Sequence, residues 1–346
     1  MSVFSKVKDF FVRNKNKFIL GGVVTIGSLY FLKYAQQRLK QWQEKEALEF
    51  LERNRKQNHF ESIDRTCNQT ILNLSTTLID VIFKKVNTDD VVEALKSNPE
   101  NKLELWNTLK VLVFVKLACI IYSLVILVVT LRIQLNIVGG YLYREPNSIT
   151  TEIQEKYLSL CQTFLNNTIN TLVDLVEKEV SKILKTFELN KQLKLSDLEG
   201  IFWTIQTSIA AHEQNPIDKL LEYIIPGEIP RASDLYSNLI SDTADLLDSD
   251  EVKSISTHCL NRGFVLLGDQ MSEFYLGNDP KIKDVTNIDP NTQFQNPFDA
   301  KKPLAKLLPI LNGLLLKQSF PHNLVQQLLS NEKLKVLGAN VYESLL

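Results

Sequence analysis

Cysteine and histidine are scarce in this chain of 346 residues, which contains four of each. The four cysteines are widely separated and form no CxxC pair of the kind that binds zinc. This argues against a disulfide framework and indicates buried thiols in a reducing compartment. The histidines lack metal-ligand spacing, and the chain has neither a phosphate-loop pattern nor a dinucleotide fingerprint. We therefore expect no metal and no cofactor.

Signs of a catalytic centre are equally weak. His258 and Cys259 are adjacent, but side chains at positions i and i+1 of a helix point away from each other. A nucleophile and its base need a matched geometry. The chain is therefore expected to bind a partner rather than catalyse a reaction.

The small net charge of −1 is unevenly distributed. Residues 1–40 hold eight basic side chains and one acidic one, so the remainder is acidic. A basic end suits an anionic membrane surface, although ordinary charges flanking an anchor would give the same pattern. The acidic remainder argues against a nucleic-acid partner.

The first apolar run covers residues 18–32, FILGGVVTIGSLYFL, and is short for a membrane span. Flanking lysines extend its reach by snorkelling. A secretory signal peptide is the alternative, but no small-residue cleavage site follows. The sequence predicts a basic segment at 1–17, a transmembrane anchor at 18–33 and a helical domain at 34–346. Basic residues flank the anchor on both sides, so charge does not decide its orientation.

The second apolar run, from Val111 to Leu131, is interrupted by Lys116 and followed directly by Arg132. A helix that is apolar on every side is either a membrane span or the centre of a helical core. A lysine inside a span costs roughly 2.5–3.5 kcal/mol on insertion scales. These residues favour a buried core helix over 107–138, with a second span as the alternative.

The rest of the chain has helical periodicity, and strand alternation is nowhere sustained. Residues 150–186 predict one long helix, and Ser196 to Glu199 matches a capping box. Further helices are expected at 250–275, 304–316 and 323–346. Residues 277–302 are polar and predict an unusually long loop. These patterns predict an all-α fold.

Trp106 lies shortly before the second apolar run, with Lys102 and Lys110 one helical turn to either side. A tryptophan edged by lysines is suited to a surface groove that receives an amphipathic helix from an acidic partner. The alternative is a tryptophan half-packed against the core beside lysines that are merely solvated. The residues alone leave both interpretations open.

An ordered set of short segments resembles the peroxin-3 family, peroxisomal biogenesis factor 3, over nearly the whole chain. The resemblance is carried by His59-Phe60-Glu61-Ser62, Arg65-Thr66-Cys67-Asn68, Asn101-Lys102-Leu103-Glu104 with Trp106, Leu131-Arg132, Gln134-Leu135-Asn136-Ile137, Gly139-Gly140-Tyr141, Cys259-Leu260-Asn261-Arg262-Gly263-Phe264, Pro303-Leu304-Ala305-Lys306 and Asn340-Val341-Tyr342-Glu343.

The resemblance implies a peroxisomal membrane protein with one N-terminal span and an elongated, all-helical domain in the cytosol. That domain would dock peroxin-19 through an N-terminal amphipathic helix of that partner, and would contact membrane-protein cargo and lipid. The positions that match the family's groove are Leu95, Lys96, Lys102, Trp106, Leu142, Pro303 and Lys306. A two-span transporter or channel accessory subunit is the rival interpretation, and an enzyme is a distant third.

Overall fold

The computed structural model describes residues 15–97, 99–146, 149–227, 234–276, 299–316 and 319–346. Contacts divide the chain into two compact units, residues 1–59 and 60–346.

The helices in the described ranges are α1 (Lys15–Lys85), α2 (Asp89–Lys96), α3 (Lys102–Arg144), α4 (Thr151–Thr163), α5 (Ile169–Leu184), α6 (Leu195–Ala210), α7 (Leu220–Ile224), α8 (Leu235–Asp248), α9 (Asp250–Leu276), α10 (Leu304–Leu316), α11 (Ser319–Leu329) and α12 (Glu332–Ser344). Two-residue strands β1 (Gln192–Leu193) and β2 (Lys302–Pro303) pair antiparallel. The predicted all-α class is confirmed.

The first unit contains the start of α1, which runs through the predicted anchor. Residues 1–14 and the side chains of residues 18–32 lie outside the described part of the chain, as do residues 277–298 of the predicted loop. The anchor and its domain boundary at residue 33 therefore stay predictions. Farther along α1, Trp42 and Phe50 are exposed.

Helix α3 lies at the centre of the second unit and carries the second apolar run. It is longer than the predicted 107–138, and its residues from Val113 to Gly140 are all buried. In the part of the chain whose side chains the structure describes, α3 is long and apolar enough to cross a membrane, and 89% of its most apolar stretch is buried within the protein. The predicted buried central helix is confirmed.

Two buried polar side chains near the end of α3 form hydrogen bonds with neighbouring helices. The Arg132 guanidinium pairs with Asp64 and donates to Oδ1 of Asn68 at 2.6 Å. Gln134 donates to the Tyr157 carbonyl at 3.3 Å. Because unpaired polar groups are costly in an apolar medium, these partners make a protein core a favourable place for this helix.

The glycine pair in α3 serves packing rather than ending the helix. A Cβ at Gly139 would lie 2.9 Å from Cγ1 of Ile63, and one at Gly140 would lie 2.8 Å from Cβ of Leu345. The helix continues to Arg144. Only glycine lets α1 and the C-terminal residues approach α3 this closely, since a side chain would force the neighbours apart.

Several predicted boundaries are displaced. Residues 150–186 form two helices separated by a π-helical segment, Phe164–Thr168, and the last predicted helix is divided into α11 and α12. Helix α6 begins one residue before Ser196, and the Asp197 carboxylate accepts a 2.9 Å hydrogen bond from the N–H of Lys194. The capping partner is therefore Asp197 rather than Glu199. Helix α10 begins and ends where the sequence predicts.

Candidate partner-binding site

Helices α2 and α3 pack against each other and are joined by residues 97–101. Nζ of Lys116 on α3 donates a 2.8 Å hydrogen bond to Oγ1 of Thr88, the residue that precedes α2. Leu95 lies seven residues after Thr88, and Trp106 lies ten residues before Lys116. Each residue advances a helix by about 1.5 Å along its axis. From Thr88, α2 therefore runs back along α3 towards its first turns, and Leu95 lies at the end of α3 that carries Trp106.

A buried contact fixes the neighbouring loop to the same end of α3. Lys110, one turn after Trp106, donates from Nζ to the carbonyl of Phe187 at 2.7 Å. The ammonium group is therefore held inside the protein, with 4% of the residue exposed. Burial lowers the pKa of Lys110 because desolvation disfavours the charged form. Both sequence-based interpretations place Lys110 at the surface beside Trp106, and the structure instead buries it.

The residues that follow Phe187 hold the start of α10. The carbonyls of Leu189 and Lys191 accept hydrogen bonds from the N–H groups of Ala305 at 2.9 Å and Leu304 at 3.0 Å. The β1–β2 ladder adds a pairing of Gln192 with Pro303. These bonds bring β2 and the first turn of α10 to the Lys110 end of α3.

Six of the seven predicted residues are thereby brought to one end of α3, and Leu103 belongs with them. The apolar members Leu95, Trp106 and Pro303 are half-buried, whereas the three lysines are exposed. Leu95 and Trp106 pack against the core. We call this set the Trp106 surface: Leu95, Lys96, Lys102, Leu103, Trp106, Pro303 and Lys306.

Leu103 is absent from the predicted site residues. It is 70% exposed and lies three residues before Trp106 on α3, so the two side chains share a helix face. The three-residue spacing between Leu103 and Trp106 could have indicated that both belong to the site. An apolar residue in the first turn of a core helix is, however, usually predicted to be buried. The structure instead leaves it in solvent next to the half-buried tryptophan.

Leu142 lies at the opposite end of α3. It is 36 positions after Trp106 on the same helix, a separation of about 54 Å at a rise of 1.5 Å per residue. Leu142 is half-buried and packs against the core at that end. The structure does not bring it to the Trp106 surface, and one groove cannot include both residues.

The adjacent pair His258 and Cys259 is poorly suited to nucleophilic chemistry. Cys259 is buried, and desolvation raises the pKa of its thiol to about 12. The reactive thiolate form is therefore scarce near neutral pH. Within the described ranges, no cluster of three or more histidine, cysteine, aspartate or glutamate side chains could hold a metal ion.

Comparisons with known proteins cover nearly the whole chain. Residues 9–101, 96–145 and 140–344 match the Peroxin-3 family model. The chain is 35% identical to Peroxisomal biogenesis factor 3 of Mus musculus, over 97% of its own length and 96% of that protein. Identity to the Homo sapiens protein of the same name is also 35%, over 98% and 96% of the two chains. The Debaryomyces hansenii protein is 24% identical over 99% and 95%. The chain therefore belongs to the Peroxin-3 family of peroxisome biogenesis factors.

Proposed function

We propose that this peroxisome biogenesis factor is a docking receptor for peroxin-19 carrying peroxisomal membrane-protein cargo. The docking site is the Trp106 surface, which receives the N-terminal amphipathic helix of peroxin-19. The observation that carries the proposal is a half-buried tryptophan beside an exposed leucine, Leu103, on one helix face. Family membership supports the coarser role, a peroxisomal membrane protein that acts in peroxisome biogenesis.

Docking is equilibrium binding rather than catalysis. The ring of Trp106 and the side chain of Leu103 take up the apolar face of the incoming helix, since large aromatic groups act as binding anchors. The exposed lysines place their aliphatic stems beside the anchor and direct their ammonium groups to acidic side chains of the partner. Glu104 is also exposed on α3, and its negative charge offsets part of the positive charge of the lysines. Apolar contact therefore supplies most of the affinity, and the lysines mainly guide the approach.

The predicted anchor at residues 18–33 holds the receptor at the peroxisomal membrane with residues 34–346 in the cytosol. Docking there delivers cargo next to the lipid that must receive it. The rival two-span arrangement would place α3 in the bilayer. Burial of α3 by other helices of the same chain favours the single-span proposal.

Calorimetric titration of the full-length protein with a peptide of the peroxin-19 N-terminal helix tests the proposal. Trp106→Ala should weaken binding by about 2 kcal/mol or more, the loss typical of a central aromatic anchor. Trp203→Ala is the matched control, because Trp203 is an exposed tryptophan on α6 outside the Trp106 surface. Its substitution should leave the affinity unchanged.

A second variant separates binding from folding, because Trp106 also packs against the core. Leu103→Glu changes a residue that is largely in solvent, so the helical circular dichroism and melting temperature should be retained while affinity falls. Unchanged affinity in both Trp106→Ala and Leu103→Glu would refute docking at this surface. Equal losses in Trp203→Ala would point to a general surface effect and count against the proposal as well.

A further inference from the structure

A cavity separate from the Trp106 surface lies among α9, α11 and the start of α12. Its volume of about 380 Å³ falls within the range of roughly 300–1,000 Å³ that is typical of small-molecule sites. Polar side chains from all three helices converge on it, above the buried Leu324 and Leu328. The lining consists of His258, Arg262, Leu324, Gln327, Leu328, Ser330, Asn331, Glu332 and Lys333.

The cavity carries an excess of positive charge. Its single acidic lining residue, Glu332, pairs with Lys335 at 3.3 Å. Arg262 and Lys333 are exposed, and neither has a carboxylate within ion-pair distance in the part of the chain that the structure describes. Two cationic side chains therefore line one opening, and among the described residues neither has a carboxylate partner of its own.

The pKa of His258, which lines the same cavity, is affected by these positive charges. Desolvation is the main cause that lowers the pKa of its imidazole, and the positive charges of Lys333 and Arg262 lower it further. The nearby Cys259 thiol does not offset them, because burial raises its pKa to about 12. An anion held between Arg262 and Lys333 would act in the opposite direction and favour the imidazolium.

We propose that this cavity binds the phosphate-monoester group of a small organic molecule. A phosphate monoester carries a charge of about −1.5 to −2 near neutral pH, which matches the two unbalanced cations. The Arg262 guanidinium can donate two parallel hydrogen bonds to phosphate oxygens, and the Gln327 amide and Lys333 ammonium supply further donors. Leu324 and Leu328 also line the cavity, and its volume leaves room for a compact organic body.

The same chemistry is offered by a soluble phosphate ester and by the headgroup of phosphatidic acid, so the test has two arms. Full-length protein labelled at its histidines gives four imidazole signals, and His258 is assigned by its loss in His258→Gln. In the first arm, protein in phosphatidylcholine nanodiscs is titrated with glycerol 3-phosphate. In the second, nanodiscs containing phosphatidic acid replace pure phosphatidylcholine, without a soluble ester.

The expected result is a saturable rise of the His258 pKa in at least one arm, and the responding arm identifies the source. Arg262→Gln and Lys333→Gln should each weaken the response by about tenfold, because charge-assisted hydrogen bonds are the strong ones. Lys178→Gln, the same charge change at an exposed residue of α5, should leave it unchanged. No saturable rise in either arm would overturn the proposal, and so would equal weakening by Lys178→Gln. Peptide binding at the Trp106 surface is a separate measurement, so the two proposals fail independently.

Discussion

Nζ of Lys116 and the hydroxyl oxygen of Thr88 lie 2.8 Å apart inside the core. The same hydroxyl donates to Oδ1 of Asn312 on α10 at 3.1 Å, and the ammonium group lies 4.6 Å from the ring centre of Phe83 on α1. The buried cation thus contacts Thr88 and Phe83, and the Thr88 hydroxyl links it to α10. Thr88 directly precedes α2, and both α2 and α10 carry members of the Trp106 surface, so this interior contact helps to position it.

Thr88→Val should lower the free energy of unfolding by about 1–3 kcal/mol, since it leaves the buried Lys116 ammonium without its hydroxyl acceptor. Thr108→Val is the matched control, because Thr108 is exposed on α3 and donates to the Glu104 carbonyl of its own helix. Chemical denaturation followed by circular dichroism measures both. Equal stability of the two variants would show that the Lys116–Thr88 contact contributes little.

Lys116→Met should change how stability depends on pH. Burial lowers the pKa of Lys116 in the folded state, although Asp89 partly opposes the shift. Between the lowered folded value and the unfolded value of 10.5, the unfolded chain holds more protons, so the wild type becomes more stable as pH rises. The cost of burying the charge is fully present below the folded pKa. As pH is raised above neutral, the free energy of unfolding of the wild type should therefore increase relative to that of the variant. A difference in the free energy of unfolding that does not change with pH would contradict this.

Asp64→Ala should destabilise the protein by about 3–5 kcal/mol, because it leaves the guanidinium of Arg132 buried without its carboxylate. Arg132→Met removes the charge and should cost less, since a buried ion pair is often replaced by apolar groups at small net cost. Asp80→Ala, at an exposed position of the same helix α1, controls for loss of a carboxylate. Thermal unfolding would refute the argument if Arg132→Met were the more damaging change.

Lys306→Glu should slow association with the peroxin-19 peptide by roughly tenfold at low salt, with a smaller effect on dissociation. The reason is that an exposed charge at the edge of a binding surface mainly guides the encounter. Stopped-flow measurements at increasing salt should bring the variant and wild type together, because salt screens exposed charges. Lys178→Glu, which makes the same charge change on α5, should associate at the wild-type rate.

Removal of residues 1–33 should abolish membrane retention and leave a monodisperse domain that binds the peptide without detergent. This outcome follows if α3 is enclosed by its own neighbours rather than by lipid. Size-exclusion chromatography in detergent-free buffer checks it. A truncated chain that stays soluble only in detergent would favour the two-span alternative.

The sequence predicted the helical class and the buried central helix because both depend on composition and periodicity. Lys116 and Arg132, which argued against a span, are indeed inside the core. What the sequence could not give was the identity of their partners, since Thr88 and Asp64 reach them only through tertiary packing. For the same reason the sequence did not show that Lys110 is buried against the carbonyl of Phe187.

The candidate site shows a similar limit. The resemblance supplied seven positions, and hydrogen bonds near Lys110 explain why residues more than 190 positions apart come together. The helix α3 then separates Leu142 from Trp106, because a helix that continues through Gly139 leaves no bend to bring its ends together. Exposure of Leu103 depends on where α2 and α10 stop covering α3, which no local pattern encodes.

Trp106 and the buried centre of the second unit belong to one uninterrupted helix, α3. A ligand seated on the tryptophan therefore binds only the folded form of that unit, and at a hundredfold excess over its dissociation constant it adds about 2.7 kcal/mol to the folded state. With a ligand bound, the protein would accordingly unfold less often and be cleaved by proteases more slowly than without it. The lifetime of the protein in the cell would then rise and fall with the supply of its partner.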